Sequence, residues 1–150
     1  AGYADLRFVD AMTNKLTDEE LRQIIAEERP DIVGCTAITP AIYKAENILK
    51  MAKELHPRAV TVLGGIHGTF MYQQVLSEAP WIDAVVRGEG EEIFTQLVDA
   101  VAGGRWPAGR DAIRGIAYAD GATVTATPAA PTVRNLDGID PDWSVLEWDK

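Results

Sequence analysis

Four short segments hold most of the residues whose types and spacing could bind or react: Asp10-Ala11-Met12-Thr13-Asn14, Thr36-Ala37-Ile38-Thr39-Pro40, Gly64-Gly65-Ile66-His67-Gly68-Thr69 and Arg87-Gly88-Glu89-Gly90-Glu91. Two are rich in glycine and two in hydroxyls. Adjacent glycines at the end of a strand allow an approach to the backbone that any Cβ would block. Gly64 and Gly65 therefore predict a channel for a long ligand threaded against the sheet edge, and Gly88 and Gly90 predict the same one strand over. Thr36, Thr39 and Thr69 offer hydroxyls to such a ligand. Glu89 and Glu91 can accept its hydrogen bonds or favour the start of a helix. His67, set in a Gly-Gly-x-His-x-Thr frame, is read as a ligand neighbour and not as a metal ligand. The run Gly-Glu-Gly-Glu-Glu-Ile from Gly88 lacks the third glycine of a dinucleotide fingerprint, and its glutamates would repel a pyrophosphate.

The elements between these segments follow a regular rhythm. Leu6 to Val9 reads as a short strand ending at Asp10, and Thr17-Asp18-Glu19-Glu20 is a capping box opening a helix that closes before Pro30. Asp31 to Cys35 is a second strand. Thr39 as N-cap and Pro40 at the first helical position then lead a helix to Leu55 with Ile42, Ala45, Ile48, Leu49 and Ala52 on one face. Ala59 to Leu63 and Ile82 to Val86 are further strands, Thr69 to Leu76 and Glu91 to Ala102 further helices, the last closed by Gly103-Gly104. The strands are near-continuous apolar runs, so both sheet faces should be covered, as in a doubly wound parallel α/β domain. In such sheets ligands bind beyond the carboxyl ends of the strands, where all four segments fall.

After Gly104 the pattern changes. Arg114 to Ala119 and Ala122 to Ala126 flank Asp120-Gly121, a type I′ hairpin signal, and a polar, proline-containing tail follows. The chain thus divides into an α/β domain over 1–104 and a hairpin with linker over 105–150. Ala1-Gly2-Tyr3 reads as the end of a preceding helix, and the opening strand of such a domain is expected between Leu6–Val9 and Asp31–Cys35 but is not in the sequence. On this reading the 150 residues do not form an autonomous domain.

Composition narrows the function further. The chain has 150 residues, 47% of them hydrophobic, and a net charge of −9 from 23 acidic and 14 basic residues. No basic patch is present to meet a phosphate backbone, so nucleic acid is disfavoured. A single cysteine, Cys35, excludes an internal disulfide and is read as a core residue. With no signal peptide and no long apolar run, the reading is a cytoplasmic protein.

Gly64-Gly65-Ile66-His67-Gly68-Thr69, Gly88-Glu89-Gly90-Glu91 and the Thr36-x-Ile38 step together resemble the cobalamin-binding domain of B12-dependent radical SAM enzymes. More narrowly, VDAMTN, the stretch from Gly64 through Glu92 and DGIDPDWSVLEWD are similar to the anaerobic magnesium-protoporphyrin monomethyl ester cyclases. The resemblance implies that Asp10, Met12, Thr36, Ile38, Thr39, Gly64, Gly65, His67, Gly68, Thr69, Gly88, Glu89, Gly90 and Glu91 lie against the cofactor. Many cobalamin domains carry Asp-x-His-x-x-Gly, whose histidine ligates cobalt. Here that frame reads Asp10-Ala11-Met12-Thr13-Asn14-Lys15, with Met12 in the histidine position. A thioether is a poor substitute for imidazole, so the resemblance implies cobalamin with no protein nitrogen on its lower face. S-adenosylmethionine and a [4Fe-4S] cluster are implied for a radical SAM domain after Lys150, since one cysteine cannot supply the three such a cluster needs. The full enzyme would then act on a tetrapyrrole, closing its isocyclic ring without oxygen, while this segment alone is not catalytic.

Three other readings share parts of this pattern. A non-catalytic corrinoid carrier or sensor, or another B12-dependent radical SAM methyltransferase, would have the same loops. A receiver-like signalling domain would need an acidic cluster after the first strand and a lysine where Arg87-Gly88 stands. Trp143 and Trp148 are read as anchors onto a neighbouring domain.

Overall fold

The computed structural model describes residues 5–132. Helix α1 (Asp18–Glu28) starts at the predicted capping box. The Thr17 hydroxyl accepts from the Glu20 N–H at 3.3 Å, and the Glu20 carboxylate accepts from the Thr17 N–H at 2.8 Å. The helix stops at Arg29, whose left-handed backbone (φ 49°) turns the chain into Pro30. Strand β1 (Ile32–Thr36), a 3-10 turn at Thr39–Ala41, α2 (Ile42–Leu55), β2 (Val60–Gly64), α3 (Gly65–Glu78), β3 (Ala84–Val86) and α4 (Gly90–Ala102) follow, then the hairpin strands β4 (Ile116–Asp120) and β5 (Thr123–Ala126).

The strands form one five-stranded sheet in the order β1-β2-β3-β4-β5. The first three are parallel, with Thr36 opposite Gly64 and Leu63 opposite Val85. The hairpin adds antiparallel to β3, Val86 facing Ile116. It therefore extends the sheet of the α/β domain instead of standing apart from it. Alternation along the strands sends side chains into two cores. Leu63, Val85 and Ala117 join Leu49 of α2 and Val75 and Leu76 of α3 on one face. Val62, Ala84, Val86, Ile116 and Tyr118 meet Ile93 and Leu97 of α4 on the other. Helices on both faces bear out the doubly wound α/β reading, with a mixed sheet.

At the amino ends of the strands, Asp83 closes the bottom of the domain. One carboxylate oxygen, Oδ2, accepts from Lys53 Nζ at 2.6 Å and from the Thr61 N–H at 2.8 Å and hydroxyl at 2.9 Å. This ties α2, β2 and the approach to β3 at a point far along the strands from the loops of interest.

The structure departs from the sequence reading in several places. Leu6 to Val9 is not a strand: it is irregular, with Leu6 64% and Phe8 52% exposed. A strand needs a neighbour to satisfy its backbone groups, and no described strand lies beside it. Among the described residues β1 is therefore an edge strand of the sheet, and Leu6–Val9 takes no place in it. Helix α3 begins at Gly65 and not at Thr69, so Gly65 through Gly68 are its first turn. The hairpin turn is Gly121-Ala122, one residue later than predicted, because Asp120 pairs with Thr123. Positive φ falls at Gly121 (58°) and not at Ala122, as in a type II′ turn. Ala1-Gly2-Tyr3, DGIDPDWSVLEWD, Trp143 and Trp148 lie outside the described residues.

Candidate functional site

Three of the four predicted segments meet at the carboxyl ends of β1, β2 and β3. Two chains of hydrogen bonds join them. Between the first two, Ala37 N–H donates to Gly64 O at 3.1 Å and His67 N–H to Ala37 O at 3.2 Å. His67 Nδ1 also lies 3.1 Å from Thr39 Oγ1. Between the second and third, Thr69 Oγ1 donates to Gly65 O at 3.0 Å and accepts from the Gly88 N–H at 3.0 Å. Two of the three predicted ligand hydroxyls are thus committed to holding the loops together. Thr39 also gives up its predicted capping role: Ile38 is the cap residue of the 3-10 turn, and no side chain bonds there. Thr36, exposed at the end of β1, keeps its hydroxyl out of such a bond.

The glycines separate into two kinds. Gly65 has φ +90°, and a Cβ there would stand 2.7 Å from Ala37 O and 2.8 Å from both Ala37 N and Thr36 Oγ1. Its lack of a side chain serves the close approach of two backbones, so a β-branched residue there would strain the fold. Gly68 is similar: a Cβ would lie 3.0 Å from Val85 Cγ1, because α3 packs tightly on the sheet. The other three are open. A Cβ at Gly64 meets only Cys35 O at 3.9 Å, at Gly90 only Val86 Cγ1 at 3.6 Å, and at Gly88 nothing within 4 Å.

Apolar residues surround this polar seam. Ile38 is 60% exposed, Ile66 58% and Phe70 73%, each belonging to the joined segments or to the first turns of α3. Glu89 caps α4 without a side-chain cap bond, and Glu91 sits in that helix's first turn. Along the seam of α2 and α3, burial raises the Glu46 carboxyl, the Glu78 charge adds to this, and His67 opposes it. No group of three or more His, Cys, Asp or Glu among the described residues is placed to hold a metal ion. The loops therefore offer hydrogen bonds and apolar contact.

The fourth segment stays apart. Asp10 to Leu16 closes on itself through Asn14 N–H to Asp10 O (3.2 Å) and Leu16 N–H to Ala11 O (3.1 Å). The Thr13 hydroxyl and N–H hold the Asp10 carboxyl below its usual range. Met12 is 83% exposed, and among the described residues no hydrogen bond joins this segment to the other three.

Sequence reasoning missed part of the site. A cleft of about 340 Å3 is lined by Thr69, Arg87, Gly88 and Glu89 on one side and by Ala129, Ala130, Pro131 and Thr132 on the other. The second wall is the chain leaving β5, pinned by Gly115 N–H to Pro128 O (2.9 Å) and Arg114 Nη2 to Ala129 O (2.7 Å). Nothing local in 129–132 marks it as a wall. Only the pairing of β4 with β3 brings it there.

A family model described as the B12 binding domain matches residues 1–98. The chain belongs to the B12-binding domain family. Over 99% of its length it is 63% identical to an anaerobic magnesium-protoporphyrin IX monomethyl ester cyclase of Rubrivivax gelatinosus, and it covers 27% of that protein. It is 40% identical over 97% of its length to an uncharacterized methyltransferase of Pyrococcus horikoshii, covering 31% of it. Among solved structures, it is similar to the radical S-adenosylmethionine methyltransferase TsrM from Kitasatospora setae, determined with cobalamin and a [4Fe-4S] cluster. That likeness has a TM-score of 0.68 and 27% identity, over 84% of this chain and 24% of that one. The B12-binding chain therefore spans less than a third of the length of these relatives.

The residues present fit a cobalamin. Open glycines at 64, 88 and 90 leave the backbone reachable, as a bulky ligand edged with amide groups requires. The exposed Ile38 and Ile66 suit an apolar macrocycle, and the cleft has room for one appendage of such a molecule and not for the whole.

Proposed function

We propose that this chain is the cobalamin-holding part of a radical SAM enzyme that closes the isocyclic ring of a magnesium tetrapyrrole without oxygen. The observation that carries this reading is the 63% identity to the Rubrivivax cyclase over 99% of the chain. When bound, cobalamin would supply one-electron or group-transfer chemistry at its cobalt. Thr36, Ile38, Gly64, His67, Gly88, Glu89, Gly90 and Glu91 would hold and orient it, and Thr39, Gly65, Gly68 and Thr69 would set those loops. Asp10 and Met12 complete the proposed set, with Met12 leaving the lower face of cobalt without a protein nitrogen. S-adenosylmethionine and the cluster belong to the remainder of the polypeptide, and the setting is the cytoplasm. Residues 1–104 together with the hairpin strands β4 and β5 act as the cofactor domain, and the chain beyond the hairpin leads towards the radical SAM domain.

Incubating the full-length protein anaerobically with magnesium-protoporphyrin monomethyl ester, S-adenosylmethionine and a reductant tests this. Cobalamin-dependent formation of the ring-closed product is the expected result. A second reading, methyl transfer, is favoured by the 40% identity to the Pyrococcus methyltransferase and by the likeness to TsrM. Transfer of a labelled methyl group to an acceptor with no ring closure would replace the first reading by the second.

A further inference from the structure

The chain that leaves β5 is held to the domain firmly at one residue and slightly at those that follow. Thr127 is the firm point. It is buried, its hydroxyl accepts from the Ile116 N–H at 3.0 Å and donates to Ile116 O at 3.1 Å, and its carbonyl accepts from Arg87 Nη2 at 2.6 Å. The Arg87 guanidinium is itself braced 4.8 Å from the centre of the Tyr72 ring on α3. Past Thr127 the hold changes. Pro128 and Pro131 have no N–H to give to a strand ladder, and β5 has ended at Ala126. The carbonyls of this segment are gripped singly: Pro128 O accepts from the Gly115 N–H at 2.9 Å, and Ala129 O accepts from Nε and Nη2 of Arg114 at 3.1 and 2.7 Å. Arg114, Pro128, Ala129, Pro131 and Thr132 are exposed, and Ala130 is half-buried against the core that α4 covers. Few buried apolar contacts and hydrogen bonds open to solvent mark a segment that detaches locally while the sheet stays intact. Residues 129–132 nevertheless form one wall of the cleft that faces Thr69, Gly88 and Glu89.

We infer that residues 128–132 are a strap, hinged at Thr127 and latched by Arg114, whose release gates the passage of ligand to and from the loops after β2 and β3. The inference rests on the proposed function, which makes that ligand a corrinoid, and adds how its site opens. The two walls differ in kind. Thr69 is bonded to Gly65 and to Gly88, so the loop wall is fixed to the parallel strands. The strap wall swings away once the Arg114 grip, the Gly115 bond and the Ala130 contact are broken, and Thr127 keeps the hairpin paired throughout. Arg114 does not line the cleft, so it acts on the ligand through the strap alone and is a positioning residue.

The test measures rates as well as affinity, in the full-length protein and its Arg114→Gln and Arg114→Lys variants. Stopped-flow mixing with hydroxocobalamin gives the association rate, and displacement by excess methylcobalamin gives the release rate. A gate that opens more often speeds both directions alike. Arg114→Gln should therefore raise both rate constants about fivefold and leave Kd within about twofold, with Arg114→Lys in between. Hydrogen exchange of the Gly115 amide, corrected for its intrinsic rate, reads strap opening without any ligand. It should quicken about fivefold in Arg114→Gln while the Thr127 amide, bonded to Ile116 O, stays unchanged. Faster release with unchanged association would make the strap a simple ligand contact and overturn the inference. So would unaltered rates, whether or not the Gly115 amide exchanges faster. A wild-type protein that binds no corrinoid would instead overturn the functional reading, and the Gly115 exchange would still decide whether the strap opens.

Discussion

At the scale of single residues, the site is governed by which small groups are needed by the fold and which are left for a ligand. Gly64 and Gly65 look equivalent in sequence, but their surroundings differ. Replacing Gly65 by Ala forces a side chain into a left-handed backbone and against Ala37, and such strain costs roughly 1–3 kcal/mol. Gly65→Ala should lower stability by at least that amount in urea titration. Gly64→Ala has room in the fold, so it should leave the denaturation midpoint nearly unchanged while reducing corrinoid affinity. Loss of affinity without loss of stability in Gly65→Ala would contradict this division. Cys35 gives a pH-dependent case. Burial pushes its thiol up to about 12 from 9.0, so the folded state retains the proton that the unfolded chain releases. The stability linked to Cys35 is present below pH 9 and is lost as the pH rises from 9 towards 12. At pH 8 the native thiol should resist iodoacetamide and react once the chain is unfolded; rapid labelling of the native protein would count against its burial.

At the scale of elements, stability comes from caps and clamps that lie away from the ligand end. The Thr17 and Glu20 box fixes the start of α1, which packs on α2, and Thr17→Ala should cost about 1 kcal/mol without altering ligand affinity. Asp83→Asn removes the charge that meets Lys53 and an acceptor that Thr61 uses. It should destabilise by about 1–3 kcal/mol, again with affinity preserved. An equal loss of ligand binding in either variant would mean that the two ends of the sheet are coupled. The elements that sequence revealed were those with local signals: the capping box, the near-continuous apolar runs of the strands, and the glycines closing α4. Those it misplaced depended on partners. Leu6–Val9 has strand composition, but no strand lies beside it in the described sheet. The turn at Gly121-Ala122 is set by the register of Asp120 with Thr123, and register belongs to the pair of strands.

At the scale of the whole molecule, the parallel order β1-β2-β3 brings the ends of three strands side by side, and the antiparallel hairpin supplies a wall beyond them. The candidate loops were legible because their chemistry is local: glycines and hydroxyls follow each apolar run. Their division of labour was not. That Thr69 bridges Gly65 and Gly88, or that Arg87 stacks on Tyr72, depends on contacts between elements. The segment with Met12 closes on itself through Asp10 and leaves the Met12 side chain exposed, and no histidine stands in its frame to compete for cobalt. The central proposal is that this chain holds cobalamin with its own lower base displaced and no protein nitrogen on the metal. The most direct measurement is the electron paramagnetic resonance spectrum of the full-length protein loaded with cob(II)alamin. A signal integrating to one cobalt per chain, with cobalt hyperfine lines free of nitrogen splitting, is the predicted result. A threefold superhyperfine splitting of those lines by a coordinated nitrogen would contradict it.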